Sequence, residues 1–525
     1  METVYVIGSG PSGIGCALGL LARNNIKVVM LDVGKTLEQE KLENRLQNNN
    51  PIIYPEKKLP WENKNKTNIF NKHLFGSVYP YDIDHAEDEF DISNAVMRAS
   101  FARGGLSNVW GASIMPYRNK EIEHWPISVD TMNLYYKKIL NHIPVSTCLQ
   151  DYFNDWPDLP ASAQKYTLGE QAQHLWQRYL TSKDKLNSHG ILVGGARLAI
   201  YQTDTPQQKG CVYCGECMYG CTQDAIYSTR HTLRELKKNP LFEYLPGFRV
   251  DQLSEHAEGV TINAYHVNDR SNVTFTGKKV FLAAGVIMST HLLTKSLSQL
   301  KEMELHISDS QHFLLPSIMF RHFKGLHKKP SLSISQLFYE IIRPDFFNES
   351  VHLQLHTYIN LYENEFEKKI KFLKNIRGAL YPLYERLIVL QGYLPAGISG
   401  SISARLNPQN EKLIVKGNQH DDSLYYVKKI IRLFTQNAFR LGFMPLIPAC
   451  RMSQVGVSNH YGGNFPMKKN PLRPNESDCF GSPFGMKRIH VVDACVLPSI
   501  QAQSVTLTSM ANAYRIGYTC RMEIS

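Results

Sequence analysis

Ten cysteines are spread over 525 residues, yet four crowd into one stretch of eleven, CVYCGECMYGC: Cys211, Cys214, Cys217 and Cys221. Their C-x2-C-x2-C-x3-C spacing is one by which thiolates on a tight loop converge on an iron–sulfur cluster. The proline that commonly follows the fourth cysteine is missing, and Thr222 stands there. Four thiolates would also suit zinc, although zinc sites usually split into two separated pairs. Disulfides, or plain reduced cysteines on a structural loop, are the third reading.

A second chemical signature opens the chain. Val4 to Ile7 read as a buried strand, and GSGPSG follows with Gly8, Gly10 and Gly13 in G-x-G-x-x-G spacing. An apolar helix then runs through Arg23, and a second strand from Lys27 to Leu31 ends on Asp32. The first glycine makes the tight turn, the second lets backbone approach a pyrophosphate, and the third lets helix pack on strand. The phosphates would sit at the helix N-terminus, where free N–H groups and peptide dipoles favour anions. Asp32 lies 24 residues after Gly8, about where a carboxylate accepts the ribose hydroxyls of an adenine dinucleotide.

The rest of the chain must position these groups. Its length gives room for two or more domains, or for one with a large insertion. Apolar residues at 43% and charged residues at 20% place it among globular proteins. No apolar run reaches the roughly 18 residues that would span a bilayer. The first strand begins within five residues of Met1, leaving no room for a signal peptide, so a cytoplasmic protein is the simplest expectation. The net charge of +11 raises nucleic acid, anionic membranes and anionic substrates. No zinc-finger, RNA-recognition or helix-turn-helix pattern accompanies it, so no nucleic-acid partner is expected.

Residues 35–75 are polar and rich in Asn and Lys, and read as an irregular surface excursion. In FARGGLSNVWGASIMPY, residues 101–117, glycines permit close approach to a flat ligand, with Trp110 as packing residue or ligand wall. Pro126 and Ser128 mark a helix start before TMNLYYKKILNHI. After the cysteines, TRHTLRELKKN reads as a helix, and FRVDQLSEH and GVTINAYHV as strands. Lys279 to Ala284 is a buried strand feeding Gly285 and another helix. From about 306 to 450, alternating segments such as LSISQLFYEII and VHLQLHTYI predict antiparallel strands on the substrate side. Residues 364–394 read as a basic, aromatic helix pair capping that sheet, with peripheral membrane contact as the functional alternative.

Four separated stretches, GSGPSG, GGLSNVWGA, SNHYGGNFPM at 458–467 and VVDACVLPSIQAQSVTLTSMANAYRIG at 491–517, resemble the glucose–methanol–choline (GMC) oxidoreductases, in that order. KVFLAAGVIMSTHLL resembles that family's second signature, and HWPIS its W-P-I/L segment. The resemblance implies FAD as cofactor and oxidation of an alcohol, sugar or glycan hydroxyl to a carbonyl by hydride transfer to flavin N5. The expected fold class is α/β, α+β overall. A Rossmann-like FAD-binding domain would be assembled from 1–305, with a cysteine-rich loop at 205–225, and 451–525. A substrate domain built on an antiparallel sheet would occupy 306–450.

By the same resemblance, Gly8, Gly10, Pro11, Ser12 and Gly13 would hold the pyrophosphate and Asp32 the adenosine ribose. Gly104, Gly105, Ser107 and Asn108 would lie along the flavin, and Val250 would contact adenine through its backbone. Ala284 and Gly285 would approach the nucleotide, with Asp493 and Val505 near the ribityl chain and pyrimidine edge. His460, in the H-x-G-G/T segment, would be the active-site base, a job suited to a group whose pKa lies near operating pH. Where the family carries His or Asn as the base's catalytic partner, this chain aligns Ser504, next to Gln503. Serine can donate a hydrogen bond and orient a hydroxyl but cannot serve as an alternative base.

Cys211, Cys217 and Cys221 are spaced similarly to the cysteines of GMC sugar dehydrogenases that hold a three-iron cluster, with Cys214 additional. A [4Fe–4S] or [3Fe–4S] cluster would make the chain a dehydrogenase feeding an electron-acceptor protein or quinone. Structural cysteines would leave dioxygen or another small acceptor, the oxidase reading. A redox-inactive binding protein on the FAD fold, with Ser504 as the mark of lost catalysis, is the rival from another class.

Overall fold

The structure, a computed structural model, describes residues 2–39, 72, 74–75, 77–81, 89–148, 156–329, 331–345, 347, 349–359 and 377–521. Most of the 35–75 excursion and the basic part of 364–394, up to residue 376, lie outside the described residues.

The chain opens into a five-stranded parallel sheet ordered Ile489–Val491, Lys279–Leu282, Glu2–Ile7, Ile26–Asp32, Phe242–Pro246. Its central strands, Lys279–Leu282, Glu2–Ile7 and Ile26–Asp32, are largely buried apolar runs, as a parallel sheet covered by helices requires. The first helix, Pro11–Leu21, packs backbone to backbone against the last, Val505–Thr519. A Cβ on Gly15 would lie 2.4 Å from the Met510 carbonyl oxygen, and one on Gly19 would lie 2.2 Å from that of Tyr514. The Ser12 and Ser509 hydroxyls share a hydrogen bond of 2.6 Å across the same seam. The two ends of the chain therefore build one unit.

Among the described residues, four further sheets accompany that unit, the smallest pairing Ser146–Thr147 with Gln164–Lys165. Phe248–Glu255, Val260–His266 and Asn272–Gly277 form an antiparallel meander. A five-stranded sheet runs Tyr461–Gly462, Leu305–Asp309, Ser401–Leu406, Leu413–Asn418, Phe90–Ser93. The largest sheet is antiparallel and runs Ile191–Gly195, Leu337–Ile341, Val351–His356, Leu387–Tyr393, His312–Met319, Phe443–Pro445, with Arg451–Met452 also pairing onto His312–Met319. Helices Glu170–Ser188 and Ser423–Gln436 pack on one of its faces, and this layer has a hydrophobic core of its own. The fold class is the expected one, a Rossmann-like parallel unit joined to an antiparallel sheet, and the latter takes Ile191–Gly195 from well before residue 306.

One expectation is corrected. Among the described residues of 364–394, only Arg377–Tyr384 is helical, and Leu387–Tyr393 is a central strand. LIVLQGY pairs on both edges, with His312–Met319 and with Val351–His356. Gly392 leaves the space that the Phe313 ring fills, 2.2 Å from where a Cβ would stand. Two ladders of hydrogen bonds override a helical reading of the flanking charges.

Candidate active site

A cavity runs from the end of strand Glu2–Ile7 along the carboxyl ends of the parallel strands, where ligands of open α/β sheets bind. Of the residues expected to hold a cofactor, Gly8, Gly10, Pro11, Ser12 and Asp32 line it, with Gly105 and Val250. Ala284, Gly285, Asp493 and Val505 line it from the other end of the sequence. Gly13 does not line it. A Cβ on Gly13 would stand 1.9 Å from the Gly8 carbonyl oxygen, so this glycine lets the helix sit on its own turn. Gly8 itself has φ +99° and backs onto the Ala283 carbonyl. At Gly10 an added Cβ would meet nothing within 4 Å, which leaves the turn open to the cavity.

Asp32 is buried at the end of its strand and accepts hydrogen bonds from the Ser9 hydroxyl and, at 2.9 Å, from Tyr244. Burial pushes its carboxyl up to about 6 against those bonds. Ser9 also accepts the Gly104 N–H at 2.9 Å, which ties the first turn to the 104–108 loop. In that loop Gly104, Ser107 and Asn108 are supports. The Ser107 hydroxyl donates to the Gly104 carbonyl at 2.6 Å, and Asn108 donates to the Arg103 and Gly105 carbonyls at 2.9 and 2.7 Å. Trp110 donates its ring N–H to the Tyr227 carbonyl at 2.7 Å, a packing role. Asp493 accepts from Ser289 at 2.5 Å and from the Gly285 N–H at 3.0 Å, fixing the second strand-to-helix turn against the cavity.

His460 stands between Asn459 and Tyr461, both of which line the cavity. Its backbone is held by a buried anchor absent from the sequence reading. Asp309 accepts the Gly456 N–H at 2.7 Å and the Ser458 hydroxyl at 2.8 Å, and Ser458 accepts the His460 N–H at 2.9 Å. Arg98, also missed, lines the cavity and donates to Asn459 at 3.1 Å. The His460 ring stacks on Tyr393 with centroids 4.8 Å apart, and its Nδ1 has no hydrogen-bond partner. The residue is half-buried, and enclosure by protein drives the ring's pKa down to about 3, with His312 and His352 adding to the shift.

Ser504 is buried at the start of helix Val505–Thr519 and makes no side-chain cap there. The residue before it is the connected one. Gln503 donates to Ser350 at 3.0 Å and to Glu340 at 3.3 Å. Glu340 accepts from His352 Nδ1 at 2.7 Å, and Ser350 donates to Glu121 at 2.5 Å. Burial, then the Glu340 charge, pushes Glu121 up to about 7. Strand register brings four of these side chains into a row: Glu340 lies opposite His352, His352 opposite Tyr393, and Tyr393 opposite His312. Only the register reveals that row, because each residue alone looks like a stray polar side chain in a strand.

None of the ten cysteines is joined in a disulfide. Cys217 is buried and its N–H donates to Ser333 at 3.1 Å, Cys221 sulfur accepts the Ala225 N–H at 3.3 Å, and Cys214 is exposed. Burial pushes the Cys211 thiol up to about 11 and raises those of Cys214 and Cys217. Among the described residues, no three His, Cys, Asp or Glu side chains gather closely enough to hold a metal ion. An iron–sulfur cluster is therefore not supported by the described side chains, and no electron path is drawn through them.

Residues 89–302 match the family model described as GMC oxidoreductase. No curated protein matches the chain. Among solved structures, it is similar to the crystal structure of pyridoxine 4-oxidase from Mesorbium loti, with 12% sequence identity, a TM-score of 0.59 and 98% of each chain covered. At that identity the likeness speaks for the fold.

Proposed function

We propose, from the GMC oxidoreductase identity of residues 89–302, that the chain holds FAD in this cavity and oxidises a CH–OH group to a carbonyl. The observation that carries the reading is convergence. Gly8 to Ser12, Asp32, Val250, Gly285, Asp493 and Val505 line one cavity, and a histidine with an unpaired ring nitrogen stands beside it.

The residues fit that cofactor. Gly10 leaves room for a diphosphate at the N-terminus of Pro11–Leu21, whose first turn carries no acidic side chain to repel it. Asp32, held by Ser9 and Tyr244, offers its carboxylate to the ribose hydroxyls. FAD, when bound, supplies the acceptor for the hydride. His460, between two residues that line the cavity, takes the hydroxyl proton on its imidazole. With a pKa of about 3 the ring is neutral at pH 7, and it is too weak to strip an alcohol of its proton in advance. Proton loss therefore accompanies C–H cleavage. Tyr393, stacked on the ring, and the Asp309–Ser458 anchor keep the imidazole in place.

The cysteine loop is read as structural, which makes dioxygen or another small molecule the electron acceptor. The reading is tested by mixing the flavin-loaded protein anaerobically with primary and secondary alcohols and following the flavin band. At least one alcohol should bleach it. A flavin that dithionite bleaches and no alcohol does would support the inactive binding protein instead.

A further inference from the structure

Strand Leu387–Tyr393 ends beside His460, and at its other end the largest sheet runs out to the surface. There strand His312–Met319 gives way to Phe320, whose N–H donates to the Gly442 carbonyl at 3.1 Å, just after the short helix Ala438–Leu441. Phe320 is 42% exposed and Phe439, on that helix, 78%, with their ring centroids 5.4 Å apart. Leu383, 45% exposed, stands on helix Arg377–Tyr384, and its carbonyl accepts the Arg386 N–H where the chain enters the same edge. Ile447, 55% exposed, follows the edge strand Phe443–Pro445. Large apolar side chains gathered at the surface mark a place where something docks.

Cations accompany the rings. Arg178 donates to the Phe439 carbonyl, and Arg386 donates to the Met319 and Phe320 carbonyls at 2.7 and 3.3 Å. Arg440 and Arg321, both exposed, follow Phe439 and Phe320 in the chain. Among the described residues none of these four arginines has a carboxylate partner, since Glu385 is taken by His322 and His327, and Glu170 by Lys329.

We propose that this edge docks the protein on an anionic lipid bilayer. Charge decides the occupant: four guanidinium groups without carboxylates frame the apolar tips, so the covering surface must offer anions around an apolar interior. Headgroup phosphates would meet the arginines while Phe320, Phe439, Leu383 and Ile447 enter the acyl boundary, as basic and apolar side chains divide at a membrane interface. The apolar tips project as separate knobs from a strand end, two helices and a turn. A fluid surface admits such knobs without a matching pocket. The net charge of +11 acts in the same sense. No helix of the described residues is long and apolar enough to cross a membrane, so the contact is peripheral.

The test is cosedimentation of the full chain with vesicles of phosphatidylcholine alone and of phosphatidylcholine mixed with phosphatidylglycerol. Wild type should partition onto the anionic vesicles at least about tenfold more strongly than onto the neutral ones, and should come off as salt rises. Phe320→Ser with Phe439→Ser should lower that binding by about tenfold to a hundredfold. Arg321→Gln with Arg440→Gln should lower it by about tenfold and flatten its salt dependence. All four positions are exposed, so both variants should melt with wild type by circular dichroism. Equal binding to the two vesicles, binding to neither, or wild-type binding by the serine pair overturns the inference. Dimers that the serine pair abolishes, without vesicle binding, also overturn it and assign the edge to a second copy of the chain. Vesicle binding does not depend on flavin reduction, so the alcohol-oxidising reading stands or falls separately.

Discussion

The two halves of this molecule are built by different means. On the parallel side the cavity is framed by backbone: a glycine turn, a helix start and loops whose side chains are spent on holding them. On the antiparallel side it presents side chains, Glu340, His352, Tyr393 and His312, aligned by the register of four strands. A backbone site tolerates almost no added atoms, whereas a side-chain site tolerates substitution and changes its preferences. Mutations should separate the two accordingly.

The largest effect belongs to the backbone half. Gly13→Ala places a Cβ 1.9 Å from the Gly8 carbonyl oxygen, and overpacking of that kind costs about 3 kcal/mol or more. Purified Gly13→Ala should carry no flavin and melt well below wild type, and a normally loaded variant would break the comparison. His460→Ala comes next. It should keep its flavin yet slow the reduction step by about two to four orders of magnitude, measured by anaerobic stopped flow with whichever alcohol bleaches wild type. Unchanged reduction would remove His460 as the base.

The pH profile sharpens the picture of that residue. Enclosure holds His460 near pKa 3, below the ordinary 6.5, so the neutral base persists as pH falls. The reduction rate should lack a His460 titration between about pH 8 and pH 5, whereas an ordinary histidine would cost nearly tenfold per unit below about 6.5. The same sign governs stability. His312, His356 and His490, held near 4, 4 and 3, bind fewer protons folded than unfolded. Their contribution to stability is present above about pH 6.5 and is lost progressively as pH falls toward those values, which acid melts can follow. The smallest effect is expected at the cysteine loop. Anaerobically purified protein should hold flavin with essentially no iron or acid-labile sulfide, and about three or four irons per flavin would restore the electron relay.

The contrast also explains what could be read from the sequence. Gly8, Gly10 and Gly13 announce themselves because only glycine satisfies the turn and the helix contact, and Asp32 falls where the second strand must end. His460 was picked out only by the resemblance of its H-x-G-G/T segment to the GMC family. Asp309 was not, because it acts through Ser458, about 150 residues away, and a lone aspartate in a strand carries no signal. The row around Tyr393 was hidden for the same reason, as cross-strand pairing is a property of register and not of local spacing. The cysteine spacing suggests a cluster, yet among the described residues no three His, Cys, Asp or Glu side chains form a group that could hold a metal ion, and spacing along the chain does not by itself set how side chains meet. Leu387–Tyr393 was misread because flanking basic residues suggested a helix where two neighbouring strands impose a third.

The most direct test of the central claim is to strip the protein of flavin and titrate it back with FAD, for wild type and Asp32→Ala. The account predicts one FAD per chain for wild type. It predicts affinity at least about tenfold weaker for Asp32→Ala, since a charged hydrogen-bond acceptor to the ribose is lost. No binding by wild type, or equal binding by both, would contradict it.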